Sequence, residues 1–300
     1  MAESKTGLFS QAQQAEQRGN RVGRDLWERY AGHRAQVTAA ILRLAPGPGA
    51  GGRLCLLGAG NANDLDLARL AAQFDEVHLV DIDPASLSRA TGRQERDVRA
   101  KLRCHAPVDL SGLFRQIDGG RVRQSSTETL VATGTAEVLA QLPGRFDVVV
   151  SGCVLSQMSW VLGQTCERDP AALPAPLAHL EQALLTIHLR TMLGLVAPAG
   201  TALLVADLVS SEAYPLDDLE PDADLAALVQ QLSEARIAFT VCNPALIKQI
   251  LRRDPVLATS CSPPEVGTPW LWTGSKDLTY LVYPMRLRRA PAAAATRTSW

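Results

Sequence analysis

Leu54-Cys-Leu-Leu-Gly-Ala-Gly-Asn-Ala-Asn-Asp-Leu65 decides how this chain is read. A short apolar run, the mark of a buried strand, leads into Gly58-Ala-Gly60. Behind it Leu65, Leu67, Leu70 and Ala71 give residues 63–74 a helical spacing. Glycine permits the backbone angles of a tight strand-to-helix turn and lets a ligand approach without meeting a Cβ. A helix start adds free N–H groups and a positive dipole end. Gly58, Gly60, Asn61 and Asp64 are therefore candidate ligand-binding positions.

Outward from this loop the same rhythm repeats. Residues 76–80 form a second strand and 84–96 a second helix. A third strand lies near 102–108, a fourth at 146–151 and a fifth at 201–207. A long helix covers 176–196. Repeated strand–helix units predict a parallel sheet with helices on both faces. Further on, 224–237 reads as a helix. Asn243-Pro244 reads as an N-cap with proline at the first helical position, opening a helix to about Arg253. Residues 256–260 and 278–287 are strand candidates. The stretch between Asp109 and Phe146, with Gly119-Gly120 and Ser125-Ser-Thr127, reads as an insertion.

Before the core, residues 1–45 read as helix, with Leu26, Tyr30, Val37, Ile41 and Leu44 as a one-sided stripe over 25–44. Pro46-Gly-Pro-Gly-Ala-Gly-Gly52 breaks it and serves as a hinge. The expected domains are an N-terminal helical lid at 1–45, a catalytic domain at 50–290 and a flexible tail at 291–300.

Composition bounds the function. The chain has 300 residues, 46% hydrophobic and 20% charged, with a formal net charge of −1. That is a globular composition with no global pull towards nucleic acid or anionic membranes. No apolar run reaches the ~18–20 residues of a membrane helix, and the polar start lacks a signal segment. The six cysteines include no C-x-x-C pair, so a structural zinc site is not expected. They read as reduced, buried thiols of a cytoplasmic protein. No tight cluster suggests metal ligands.

The second strand ends in Val80-Asp-Ile-Asp-Pro84. An acid here accepts hydrogen bonds from a ribose diol, and either aspartate is also suited to cap the helix opened by Pro84. Asp81, directly ending the apolar run, reads as the ribose acid and Asp83 as the cap. A dinucleotide site asks for a third glycine, but Asn63 stands in its place. Asp64 then follows, where an acid opposes a pyrophosphate. This favours a ligand without phosphates.

Here the chain resembles the class I S-adenosylmethionine-dependent methyltransferases, over roughly residues 53–210 and the strand near 278–287. Gly58-Ala-Gly60 with Asp64-Leu65 resembles the family's first motif, and Val80-Asp81-Ile82 its second. The resemblance implies that Asp81 binds the ribose and Ile82 covers the adenine. It implies that Asp109, in Val108-Asp-Leu-Ser-Gly112, faces the adenine amine. It also implies that the exit of the fourth strand, at Ser151 and Gly152, borders the methyl group. The implied fold is an α/β, Rossmann-like, doubly wound seven-stranded sheet with an antiparallel last strand, plus the N-terminal helical segment. The implied cofactor is S-adenosyl-L-methionine. The chain departs from the family at Leu56, where many members carry an acid.

At the acceptor end, Tyr30 and His33 are the catalytic candidates, on a helix that could close over the site with Trp27. Nothing resembles the Asn/Asp-Pro-Pro-Tyr/Phe loop of base-amine methylation, and Arg286-Leu-Arg-Arg289 reads as a solvated charge run. The expected activity is methyl transfer to an O or N atom of a small molecule, without nucleic-acid or membrane partners. Two alternatives stay open: an NAD(P)-binding oxidoreductase, and a non-catalytic binding module of the same fold.

Overall fold

The computed structural model describes residues 7–47, 51–168, 173, 175–274 and 277–290. The middle of the expected hinge and the tail at 291–300 lie outside the described residues. Five parallel strands make the centre: β1 (Arg53–Leu57), β2 (Glu76–Val80), β3 (Leu102–His105), β4 (Phe146–Gly152) and β5 (Val196–Ser210). β8 (Thr279–Arg288) runs antiparallel along β5. Two short pieces, β6 (Glu265–Val266) and β7 (Trp270–Thr273), pair end to end with the other side of β8. The order is β3-β2-β1-β4-β5-β8-β6, with β7 also paired to β8, in line with β6. The eight strands thus fill seven positions, the outermost being one edge interrupted at Gly267. This is the Rossmann-like doubly wound layout, with its antiparallel strand, that the methyltransferase resemblance implies.

Helices cover both faces because β1 buries both faces. Leu54 and Leu56 enter one apolar cluster and Cys55 and Leu57 the other, as the two-residue period of a strand requires. On the first side lie α2 (Ala31–Leu42), α3 (Leu67–Gln73) and α4 (Pro84–Gly92). On the second lie α7 (Thr127–Leu139), α8 (Val154–Arg168) and α9 (Leu177–Leu195). β3 is an outer strand, which leaves Cys104 exposed, while Cys55, Cys153 and Cys242 are buried.

Several expectations need correction. The segment 1–45, read as helix, holds α1 (Leu8–Val22), a turn and α2, and the 25–44 stripe begins as helix only at Ala31. Residues 256–260 are not a strand but α12 (Pro255–Ser260). Asp254 accepts from the N–H groups of Val256 and Leu257 at 3.1 and 3.0 Å, with Pro255 at the first position. That is the same Asx-Pro device that starts α11 (Pro244–Arg253). The stretch read as an insertion holds α6 (Phe114–Asp118) and α7. α7 is the crossover helix between β3 and β4 and packs on α9. The helix after β2 stops at Gly92, and a separate α5 (Arg96–Lys101) follows. The helix of the glycine loop starts at Leu67, capped by Asp66, so Asp64 sits in the turn before it.

Gly112 and Gly134 touch backbone to backbone. A Cβ on Gly134 would lie 2.5 Å from the Gly112 carbonyl oxygen and 2.7 Å from Ile187 Cδ1. Gly134→Ala should therefore destabilise the protein by about 1–3 kcal/mol through overpacking. Gly32→Ala, in α2 with nothing within 4 Å, should stabilise it by about 0.5–1 kcal/mol. Urea melts of the two variants check this contrast. Equal midpoints would mean that the glycine contact does not set how closely α7 packs.

Candidate functional site

The site lies at the carboxyl ends of β1, β2 and β4, where a doubly wound sheet leaves a crevice. Gly58 and Gly60 both have positive φ, +76° and +46°. The N–H groups of Gly58 and Ala59 converge on the Val80 carbonyl at 2.9 and 3.1 Å. The Gly60 N–H goes to Asp81 Oδ2 at 2.7 Å, and the Asp83 N–H to Asp81 Oδ1 at 2.8 Å. Asp81 thus ties the loop to the end of β2. Burial raises its carboxyl to about 6, against the pull of these N–H donors. Asp83 caps α4 by accepting from Ala85 N–H at 3.0 Å.

α1 lies across this end of the sheet. Its first N–H groups, at Leu8 and Phe9, donate to the Asp118 carboxylate. Gln13 Nε2 donates to the Ile82 carbonyl at 3.2 Å, and Asn20 Nδ2 to Asp83 Oδ2 at 3.2 Å. The loop holds the other end. Asn61 Nδ2 donates to the Asn20 carbonyl at 2.7 Å and Asn63 Nδ2 to the Gly23 carbonyl at 2.6 Å. The last carbonyls of a helix lack partners of their own, and here the loop asparagines supply them. Asn61, expected to contact a ligand, thus uses its side-chain amide to fasten α1.

Other expected residues fall into three groups. Ile82 lines a small cavity beside Gly58, Asp81, Asp109 and Phe114. Asp109 also borders it, but its carboxylate turns onto its own chain and accepts from the N–H groups of Ser111 and Arg115 at 3.1 and 3.3 Å. Ser151 points away, into the helix layer, and meets His188 Nε2 at 2.8 Å. Gly152 stays at the crevice, where a Cβ would sit 3.4 Å from Asp64 Oδ2. Asp64 is half-buried, and desolvation lifts its carboxyl to about 7.

Next to it is a large cavity of about 750 Å³, lined in part by Cys153 and Ser156. Tyr30, Trp272 and Tyr280 form one wall. Tyr30 meets Trp272 edge-on at 5.1 Å, and Trp272 meets Tyr280 at 5.3 Å. His33 is behind that wall. It stacks on Trp272 at 4.2 Å, and its Nδ1 accepts from Trp270 Nε1 at 3.0 Å. Burial lowers its pKa to about 3, and of the two expected catalytic residues it is Tyr30, not His33, that lines the cavity. Trp27 lies outside too, with Arg34 stacked 3.5 Å over its ring.

Two functional candidates were not legible in the sequence. Glu16, on α1, lines both cavities. Burial, then the nearby Asp81 and Asp83, raise it to about 7. Asp207, near the end of β5, is buried and lines the large cavity. Burial lifts it to about 7. An acid ending the run Thr-Ala-Leu-Leu-Val-Ala-Asp is the signal that could have found it. Among the described residues no group of three or more His, Cys, Asp and Glu side chains is placed to hold a metal ion. No helix among them is long and apolar enough to cross a membrane.

No family model matches the chain, and no curated protein does. Solved structures do. The N-methyltransferase NodS from Bradyrhizobium japonicum, in complex with S-adenosyl-L-homocysteine, is 13% identical over 85% of this chain and 86% of its own, with a TM-score of 0.41. A putative methyltransferase from Bacillus halodurans is 9% identical over 85% and 98%, at 0.40. An rRNA methylase from Streptococcus thermophilus is 9% identical over 85% and 94%, at 0.37. Likeness this distant carries nothing about substrate.

Glu16 makes the seating of α1 depend on pH. Its pKa is raised from 4.5 to about 7 when α1 is docked, so docking takes up a proton. Seating is fully favoured below about pH 4.5 and weakens as pH rises through 7. Glu16→Gln should remove this weakening and slow hydrogen exchange of the α1 amides at pH 8 by roughly tenfold or more, after correction for intrinsic rates. Equal protection in both proteins at pH 8 would remove Glu16 from the balance.

Proposed function

We propose that the chain is an S-adenosylmethionine-dependent methyltransferase that acts on an O or N atom of a small-molecule acceptor. One juxtaposition carries the reading. The glycine loop, the Asp81 carboxylate and the Ile82 side chain meet at one end of the sheet, beside a cavity of small-molecule size.

The chemistry of these residues suits the donor. Asp81 keeps lone pairs for ribose hydroxyls, Ile82 with Val108, Leu110 and Phe114 offers an apolar slot for adenine, and Gly60 presents no Cβ. Space is a different matter while α1 is seated. The slot measures about 40 Å³, enough for a few waters but not a nucleoside, because Ala12 and Glu16 close it. The N-terminal segment is therefore assigned the role of a lid, which rises to admit the donor and reseats to exclude water. When bound, S-adenosylmethionine supplies an electrophilic methyl group. The protein's part is to hold the acceptor in line at about 3–3.5 Å, and the Tyr30–Trp272–Tyr280 wall provides a rigid face for it.

The dinucleotide alternative loses support. Asn63 occupies the place of a third glycine and commits its amide to Gly23. Volume favours a small molecule over nucleic acid, and six free cysteines suit a reducing, cytoplasmic setting.

Calorimetry with S-adenosylhomocysteine and NAD tests the reading. The wild type should bind S-adenosylhomocysteine and not NAD. Asp81→Ala should weaken that binding roughly 10–100-fold, since a hydrogen bond to a charged group contributes about 1.5–3 kcal/mol. Gly60→Val should abolish it with the fold retained, and Asp83→Ala should instead cost about 1 kcal/mol of stability through the lost cap. Tight NAD binding would replace this reading with the oxidoreductase one.

A further inference from the structure

The large cavity carries an imbalance of charge. Four carboxylates line it, Glu16, Glu167, Glu181 and Asp207, against one cation, Arg18. Among the described residues none of the four has an ion-pair partner. Glu181 takes the Ser159 hydroxyl, and Glu167 the Gln164 amide at 2.9 Å.

Asp207 is the most committed of the four. It is 6% exposed. Oδ2 accepts the Ser156 hydroxyl at 2.6 Å, the residue's own backbone N–H also favours the charged form, and the weak thiol donor of Cys242 lies 4.0 Å from Oδ1. The groups facing it are Cys153 and Ser156 at the start of α8, Cys242, and Tyr280 and Tyr283 of β8. None of these is a cation. The charged form of a buried carboxylate with no cation beside it is costly, which is why burial lifts this one, and a cation in the cavity would restore it. The same cavity is lined by Tyr30, Trp272 and Tyr280, aromatic rings of the kind that attract cations through their quadrupoles.

We propose that this cavity binds a small organic ammonium group against Asp207, and that the methyl acceptor is the nitrogen of that amine. The choice of atom rests on the methyltransferase reading; the ammonium site does not. Asp207 Oδ1 takes a proton from R–NH₃⁺, giving R–NH₂ and a neutral carboxylic acid. The released lone pair forms the new N–C bond to the methyl group. The electron pair of the broken C–S bond stays on sulfur, so the positive charge moves from sulfur to nitrogen. Burial suits the step, because it makes Asp207 a better proton acceptor than an exposed aspartate.

The test uses a matched pair of probes, 2-phenylethylamine and 2-phenylethanol, titrated calorimetrically at pH 8 into full-length protein with S-adenosylhomocysteine present. With that product in place, the donor's own site is not the one being read. The amine should bind at least roughly tenfold more tightly than the alcohol. Asp207→Asn keeps the shape and can still accept from Ser156. It should weaken the amine roughly tenfold or more while leaving the alcohol and S-adenosylhomocysteine unchanged. A purely structural Asp207 would lower all three affinities together, and that result overturns the inference. So does an alcohol that binds as well as the amine, or binding of neither probe. Amine binding that survives while S-adenosylhomocysteine fails to bind would keep the ammonium site and sink the methyltransferase reading instead.

Discussion

The Gly60 N–H lies 2.7 Å from one oxygen of Asp81, and the Asp83 N–H lies 2.8 Å from the other. These two bonds fix the glycine loop against the end of β2 and set the direction in which α4 starts. Much of what surrounds the site follows from that placement. The loop, once fixed, presents Asn61 and Asn63 to the end of α1. Asp83, once turned, caps α4 and accepts from Asn20 of α1. A single buried carboxylate thus organises a loop, two helix ends and the seat of the N-terminal segment.

That arrangement concentrates like charge. Glu16, Asp64, Asp81 and Asp83 gather where the parallel strands end, and burial lifts the first three above the usual carboxylate range. The opposing cations are peripheral: Arg89 is 3.5 Å from Asp83, and Arg34 acts on Asp64 from a distance. Two forces therefore compete over α1. Hydrogen bonds at both its ends hold it down, while Glu16 is pressed towards two other acids. A segment balanced in this way can yield to a ligand without the sheet beneath it changing.

The sheet was legible because its strands are apolar runs of the right length, and β1, β2 and β4 lie where their residues place them. Capping was legible where an Asx-Pro pair stood alone, as at Asn243-Pro244. It was missed at Asp254-Pro255 because Val256 and Leu257 read first as a strand. The N-terminal helix broke at Gly23 for a reason local periodicity does not contain. Its terminal carbonyls are satisfied by Asn61 and Asn63, some forty residues away. Glu16 was invisible for the same reason, and at Asp207 the sequence offers only an acid ending an apolar run; each gains its character from burial.

Residue type misled most where burial decides the role. Ser151 and His188 form a hydroxyl–imidazole pair at 2.8 Å that would suit nucleophilic chemistry. Both are fully buried, however, and burial lowers His188 to about 4. The pair joins β4 to α9 and has no path to a substrate. His33 is a similar case, its ring held between Trp270 and Trp272. Asp207 is just as buried as these histidines, but it borders the cavity, and that contact makes it chemically available. In a sheet with both faces covered, side chains within the strands are given over to packing. Reactive groups survive where the sheet opens onto the crevice: Asp81 just past the end of β2, and Asp207 at the register irregularity of β5 before Val209.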